Sequence, residues 1–349
     1  MLASLPKYDR CQSYDWNYEH APDPVKIDVP KVLCEWRFCG LPIDSPLGVP
    51  AGPLLNGRWC LYYASLGFDV LTYKTVRSRE RACYPLPNLQ PVLCQQLSGS
   101  ESEVLAIDNM QGSWAVSYGM PSKSPDVWRA DVEATREALP QGKLLSVSVV
   151  ATVQPEWTLA DLADDYAQCA RWAIESGADA VETNFSCPNV ATFDGQLYQQ
   201  PDDARLVVER VREAIGSAPY IVKIGHVVNR ESAAELFDAI APKIDAVALT
   251  NSVATNVRAG KSLLFEGQQR GICGAAIRDA SIEQVRVFAE LIRERGLSTQ
   301  IIGVGGIGST EDLTRYLDAG AHACHLATSA MLEPAIAIRI KQELASREK

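Results

Sequence analysis

The sequence predicts a (β/α)8 barrel, and three observations carry that prediction. Short continuous apolar runs recur eight times, at 47–51, 70–73, 144–149, 180–184, 221–224, 246–250, 301–304 and 323–326. An apolar run without polar alternation fits a parallel strand buried on both faces. Helical patterns fall between the runs, for example at 159–175, 202–215, 282–295 and 311–318, with a last one at 335–345. Helix ends pass through a turn directly into the next run, as in Leu66-Gly67-Phe68-Asp69, Ser176-Gly177-Ala178-Asp179 and Ala319-Gly320-Ala321-His322. Glycine there provides the left-handed cap; Lys243-Ile244-Asp245 is the version without it. Eight such repeats with no break in composition argue for one closed barrel, with a doubly wound open sheet as the alternative.

Residues 41–349 are expected to form that single barrel domain, and residues 1–40 an extension packed on it. The stretch 84–124 is too long and too rich in Pro, Gly and Ser for a simple connection. It reads as an excursion over the barrel mouth.

Composition narrows the function. The chain carries a net charge of −10 with acidic and basic residues interleaved, and no lysine–arginine run that would suit nucleic acid. An anionic substrate therefore needs a local basic site. No apolar stretch reaches membrane-span length. The polar, aromatic N-terminus (Tyr8, Tyr14, Trp16, Tyr18) lacks the apolar core of a signal peptide. The ten cysteines contain no C-x-x-C pair, so no metal site is expected, and they read as free, mostly buried thiols of a cytoplasmic protein.

In a barrel, chemistry sits at the C-terminal strand ends. Those positions hold Ala51-Gly52, Lys74-Thr75, Asn184 to Asn189, Lys223, Thr250-Asn251-Ser252, Gly305-Gly306 and Ala327-Thr328. A glycine turn opening onto a helix presents N–H groups to an anion, and after the seventh strand it fits a phosphate site; it also fits a plain tight turn. The two lysines need an anion, either the reduced ring of a flavin or a buried carboxylate such as Glu182. Gly271-Ile272-Cys273-Gly274 opens a small-residue turn suited to packing on a planar cofactor. His226, just past Lys223, could reach the mouth but reads better as a solvated loop histidine, while His322 and His325 face opposite ways on one strand.

The most informative run is Asn184-Phe185-Ser186-Cys187-Pro188-Asn189. Carboxamides read a ring edge that alternates N–H and C=O. A thiol beside them serves as a general base. The combination points to proton abstraction from an amide-like ring, with a hydride leaving to a separate acceptor.

Taken together these segments resemble the FMN-dependent dihydroorotate dehydrogenases, of the soluble class that uses a cysteine base, and the related domain of dihydropyrimidine dehydrogenase. The resemblance runs from about residue 41 to residue 343. It implies FMN as cofactor and Cys187 as base, with Ser186 relaying the proton outward. Lys74 would touch flavin and substrate, and Lys223 would face the flavin ring. Ala51, Gly52, Thr75, Asn184, Thr250, Gly271 and Gly274 would surround the cofactor, and Gly305, Gly306, Ala327 and Thr328 would hold its phosphate. Asn184, Asn189, Asn251 and Ser252 would bind the substrate pyrimidine, under a lid at 190–201. The resemblance also implies a homodimer; the electron acceptor is left open between a soluble compound such as fumarate, oxygen and a partner subunit.

Two departures stand out. The family's Asn-x-x-Gly-Leu-Pro-Asn loop corresponds here to Val116-Ser117-Tyr118-Gly119-Met120-Pro121-Ser122, so valine and serine replace both asparagines. A second register through Asn109-Met110-Gln111-Gly112 keeps one asparagine and loses the proline. Ala327 also stands where the family usually has glycine. Alternatives at this stage are the same flavin chemistry on another cyclic amide, dihydropyrimidine or enone, a Schiff-base lyase working through Lys74 or Lys223, and a flavin binder without turnover. The tRNA dihydrouridine synthases, a related flavin barrel, are set against by the acidic charge.

Overall fold

The computed structural model describes residues 5–32, 35–186 and 196–347. Eight parallel strands close into a barrel in chain order: β1 (Leu47–Val49), β2 (Val70–Val76), β3 (Leu144–Val149), β4 (Ala180–Asn184), β5 (Tyr220–Lys223), β6 (Ala246–Leu249), β7 (Gln300–Val304) and β8 (Ala323–His325). Each falls within a residue or a few of its predicted run, because a strand buried on both faces leaves an unmistakable apolar block. Around them stand α1 (Gly57–Ser65), α2 (Pro125–Ala138), α3 (Leu159–Glu175), α4 (Pro201–Ile215), α5 (Arg230–Ile240), α6 (Arg278–Arg295), α7 (Thr310–Asp318) and α8 (Ile336–Arg347). Local chemistry starts them: Asn56, Asn229 and Ser309 cap N-termini, Thr158 and Asp161 form a capping box, and Pro125 and Pro201 occupy first turns.

Outward strand residues such as Val147, Val181 and Val222 pack on the helices as the main core. Inward residues form layers. At the N-terminal end Val70, Leu144, Ala180, Ile221, Ala246, Ile302 and Ala323 close on Phe38 and Ile43 from a hairpin, Trp36–Phe38 with Leu41–Ile43. Two residues further along, most inward positions turn polar: Thr72, Ser146, Glu182, Lys223 and His325 are buried beside Ala248 and Val304. Just below the apolar plug, buried Asp69 accepts from Lys143 Nζ at 2.6 Å, Lys341 Nζ at 2.7 Å and the Ser45 hydroxyl.

The excursion after β2 becomes part of a second sheet. Leu89–Leu93, Glu103–Ala106 and Ser113–Val116 join Val253–Ala259 and Arg270–Gly274 from the loop after β6 in a closed ring of five strands, with Ser262–Leu263 hairpinned onto its side. Both loops leave the C-terminal strand ends, so the ring covers the mouth around a small core of Val92, Val104, Ala115, Val257 and Ile272. The sequence reads Gly271-Ile272-Cys273-Gly274 as the opening of a turn, but these residues belong to the strand Arg270–Gly274. They form a strand because their partners, Val253–Thr255 and Ser113–Val116, lie far away in sequence.

The N-terminal segment is a strap. Its helix Tyr14–Glu19, capped by Ser13, is pinned by Trp59 Nε1 to Asn17 O at 3.0 Å and Asn56 Nδ2 to Tyr18 O at 2.7 Å. Among the described residues no helix is long and apolar enough to cross a membrane. The described cysteines are free, but only Cys60, Cys169 and Cys324 are buried; Cys39, Cys83, Cys94 and Cys273 are half-buried and Cys11 is exposed.

Candidate active site

Lys223 ends β5 and crosses the lumen, donating from Nζ to the Ala51 carbonyl at 3.3 Å. Ala51 follows β1, diametrically opposite β5 in the barrel. The carboxylate that the lysine could pair with is also present, Glu182 Oε1 lying 4.0 Å from Nζ. Burial pushes the Glu182 carboxyl up, while the Lys223 ammonium and the Ser148 hydroxyl pull it back down. Ser148 Oγ lies 3.0 Å from Thr75 Oγ1. One polar chain therefore runs from Thr75 through Ser148 and Glu182 to Lys223.

Beside it, two carboxamides clamp the backbone that leads into Cys187. Ser186 N donates to Asn184 Oδ1 at 3.1 Å, and Asn251 Nδ2 donates to the Ser186 carbonyl at 2.8 Å. Ser186 Oγ is buried and makes no hydrogen bond among the described residues. Cys187 and Asn189 lie outside the described residues, as does the first half of the expected lid, while its second half includes the turn Leu197–Gln199. Ser186, Tyr198, His226 and Ser252 line a cavity of 220 Å³. His226 is thus not a freely solvated loop residue: it is half-buried, the Tyr198 hydroxyl donates to its carbonyl at 3.4 Å, and burial lowers its pKa. Cys273 is no competing thiolate, since burial pushes it up to about 11.

Lys74 is buried, and its Nζ lies 5.5 Å from the centre of the Tyr14 ring. An ammonium over an aromatic face is stabilised by the ring quadrupole. Tyr14 belongs to the strap, so a residue 60 positions upstream walls the mouth. Only the aromatic crowding at 8–18 hinted at this, and nothing local ties it to Lys74.

The turn after β7 forms a cradle. Gly274, Arg278, Gly305, Gly306, Ala327 and Thr328 line a cavity of 180 Å³. Gly306 has φ +66°, and a Cβ there would sit 2.8 Å from the Gly274 carbonyl, so glycine is required. Thr328 Oγ1, Thr250 Oγ1 and Arg278 Nε are buried without hydrogen-bond partners among the described residues, while the Arg278 guanidinium also pairs with Asp312 at 3.2 Å. A cationic fork and the Thr328 hydroxyl beside a glycine turn fit a phosphate group. Arg278 was missed because it reads as the first turn of α6. Gly271 does not line this cavity; it pairs with Val116 in the covering ring. Gly52, at φ +138°, has open space on its Cα.

The two substituted positions of the 116–122 loop have structural roles. Val116 lies half-buried in the covering ring. Ser122 Oγ accepts from Arg77 N at 3.1 Å and donates to the Lys123 carbonyl at 2.8 Å. Asn109 is exposed on a turn of the ring, away from these contacts. A larger cavity of 890 Å³, lined by Val25, Lys26, Asp44, Lys143 and Lys341, lies at the N-terminal strand ends, the face that barrel enzymes use for stability.

Lysines and carboxamides at the strand ends, with a glycine cradle after β7 and β8, define the mouth of a (β/α)8-barrel enzyme. Residues 33–347 match the family Dihydroorotate dehydrogenase, so the chain belongs to that family of flavin-dependent oxidoreductases acting on CH–CH donors. The chain is 31% identical over 374 aligned positions to the dihydroorotate dehydrogenase of Dictyostelium discoideum, covering 96% of each. It is also 31% identical to the dihydroorotate dehydrogenase B (NAD(+)) catalytic subunit of Solidesulfovibrio magneticus, over 88% of this chain and 90% of that one. The fold matches a crystal structure of DHODH from Eimeria tenella in complex with ferulenol, with TM-score 0.76, 18% identity, and coverage of 95% and 89%.

Proposed function

We propose that this protein oxidises dihydroorotate to orotate, with FMN as the hydride acceptor. The observation that carries the reading is the convergence of Lys74, Asn184, Ser186, Lys223 and Asn251 on one mouth beside the Thr328–Arg278 cradle, in a chain of this family. Bound FMN supplies a two-electron acceptor. Gly305, Gly306, Thr328 and Arg278 would hold its phosphate, and Thr75, Lys74 and Lys223 would border its ring.

Cys187, next in the chain after Ser186, takes the proton from the carbon beside the carbonyl, and the Ser186 hydroxyl passes it outward. Asn184 and Asn251 orient the ring and fix the backbone that carries the thiol. A site built of such amides discriminates against ligands that would leave them unpaired. The same reading makes the protein a cytoplasmic homodimer that passes electrons to a soluble acceptor or a partner subunit.

Val116 and Ser122 favour a second reading, the same chemistry on another cyclic amide or enone, because neither presents a carboxamide to a ring. An anaerobic absorption spectrum before and after adding L-dihydroorotate tests both. A flavin band that bleaches supports dihydroorotate. A band that stays oxidised, and bleaches with a different cyclic amide, selects the second reading; a protein that takes up no flavin overturns both.

A further inference from the structure

Glu182 stands where two expected cofactor contacts meet. Thr75 and Lys223 come from β2 and β5, and Ser148 and Glu182 occupy the strands between them. The Ser148 hydroxyl acts on the Glu182 carboxyl and lies 3.0 Å from the Thr75 hydroxyl, where either oxygen can donate. Glu182 then faces Lys223 at 4.0 Å, with the two side chains 1% and 3% exposed. Four adjacent strands are joined by one buried polar chain whose two ends border the mouth.

Such a carboxylate is a poor choice for packing alone. Burying a charge is unfavourable unless it is fully paired, and an apolar residue of similar volume is often at least as stabilising. Glu182 Oε1 has no hydrogen bond among the described residues, and its distance from the ammonium is at the outer limit of an ion pair. Nor does His325 supply a counter-charge: it is buried on β8, and neither ring nitrogen has a partner among the described residues. Glu182 is the one carboxylate within ion-pair distance of Lys223 among the described residues.

We propose that Glu182 is a positioning residue: it holds the Lys223 ammonium across the lumen, offsets part of its charge, and so sets how strongly the site favours reduced over oxidised flavin. The inference rests on the FMN reading given above. Lys223 is tethered to the Ala51 carbonyl on one side and drawn to Glu182 on the other, which divides its field between the barrel interior and the mouth. A reduced flavin carries negative charge near its N1–C2=O edge. Removing the carboxylate leaves the ammonium's attraction undivided and favours reduction.

The test is a redox titration of the FMN-loaded protein against a reference dye, for the wild type and Glu182→Gln, with melting temperatures measured alongside. Glutamine keeps the shape and can still accept from Ser148. The expected result is a rise of at least about tenfold in the equilibrium constant for two-electron reduction, an upward shift of about 30 mV, with the fold retained. Because Glu182 acts through Lys223, the shift should vanish when the same substitution is made in a Lys223→Met background.

An unchanged potential in Glu182→Gln overturns the inference, and so does an equal shift in the Lys223→Met background. If Glu182→Gln fails to fold, Glu182→Asp serves instead: its shorter carboxylate must shift the potential in the same direction by less. A wild-type protein that binds no flavin overturns the FMN reading, and this inference with it. Bound flavin with a silent Glu182→Gln overturns this inference alone.

Discussion

The two ends of the barrel treat buried polar groups in opposite ways. At the N-terminal end Asp69 is fully enclosed and spends its oxygens on Lys143, Lys341 and Ser45. At the C-terminal end Ser186, Thr250 and Thr328 hold buried hydroxyls with no partner among the described residues. Buried polar atoms are nearly always satisfied in a folded protein. A cluster of exceptions at one end marks where a ligand completes the bonding, and the fully paired Asp69 at the other marks a structural clamp. The contrast teaches that location along a strand, not burial, separates the two roles.

That contrast can be broken at either end. The largest effect is expected at the mouth: Cys187→Ala should lower the rate of flavin reduction by roughly 10²–10⁴-fold while FMN stays bound, as measured by stopped-flow absorbance. Unaltered kinetics would remove the thiol from the mechanism. At the clamp, Asp69→Ala leaves the buried Lys341 ammonium and the half-buried Lys143 ammonium without their anion. The expected loss is about 3–5 kcal/mol of stability, read by denaturant unfolding, with flavin affinity measured on the folded fraction unchanged. A small loss would mean that Lys341 and Lys143 reach water.

Between the two ends lies His325, buried in the lumen, with its pKa lowered to about 3 by burial and, secondarily, by Lys223. Above pH 6.5, the ordinary histidine value, the ring is neutral folded and unfolded, and it adds no slope. Below that value the unfolded chain takes up a proton that the native state refuses. Stability should therefore fall on acidification, by about 1.4 kcal/mol per pH unit, relative to His325→Gln. Parallel pH profiles for the two proteins would show that the ring protonates in place.

The smallest effect sharpens the comparison most. Thr328→Val removes a hydroxyl that has no partner of its own among the described residues. It should weaken FMN binding by about 1 kcal/mol, or roughly fivefold, while the flavin-free protein loses no stability. A drop in melting temperature without flavin would mean that the hydroxyl already bonds within the protein.

Much of this was legible in the residues themselves. The barrel strands announce themselves as apolar blocks entered through capped turns, and the strand-end rule then selects Lys74, Asn184, Lys223 and Asn251. What stayed hidden depends on distant partners. Residues 270–274 are a strand only because Ser113–Val116 lies alongside. Tyr14 matters only because the strap folds over Lys74. Arg278 looks like any first-turn arginine until Thr328 and Gly306 appear beside it. Glu182 was visible as a possible lysine partner, but the chain through Ser148 to Thr75 crosses strands and leaves no local pattern.

The covering ring has a consequence for how the protein behaves in a crowded solution. An open sheet lying over a barrel would present a row of unpaired N–H and C=O groups, a template on which another chain could pair. Here Val253–Ala259 bonds to both Arg270–Gly274 and Glu103–Ala106, so the five-stranded cover closes on itself. The hairpin strand Ser262–Leu263 is two residues long and exposed, with Lys261 beside it. A cover made as a ring thus shelters the mouth while leaving only this two-residue edge to solvent.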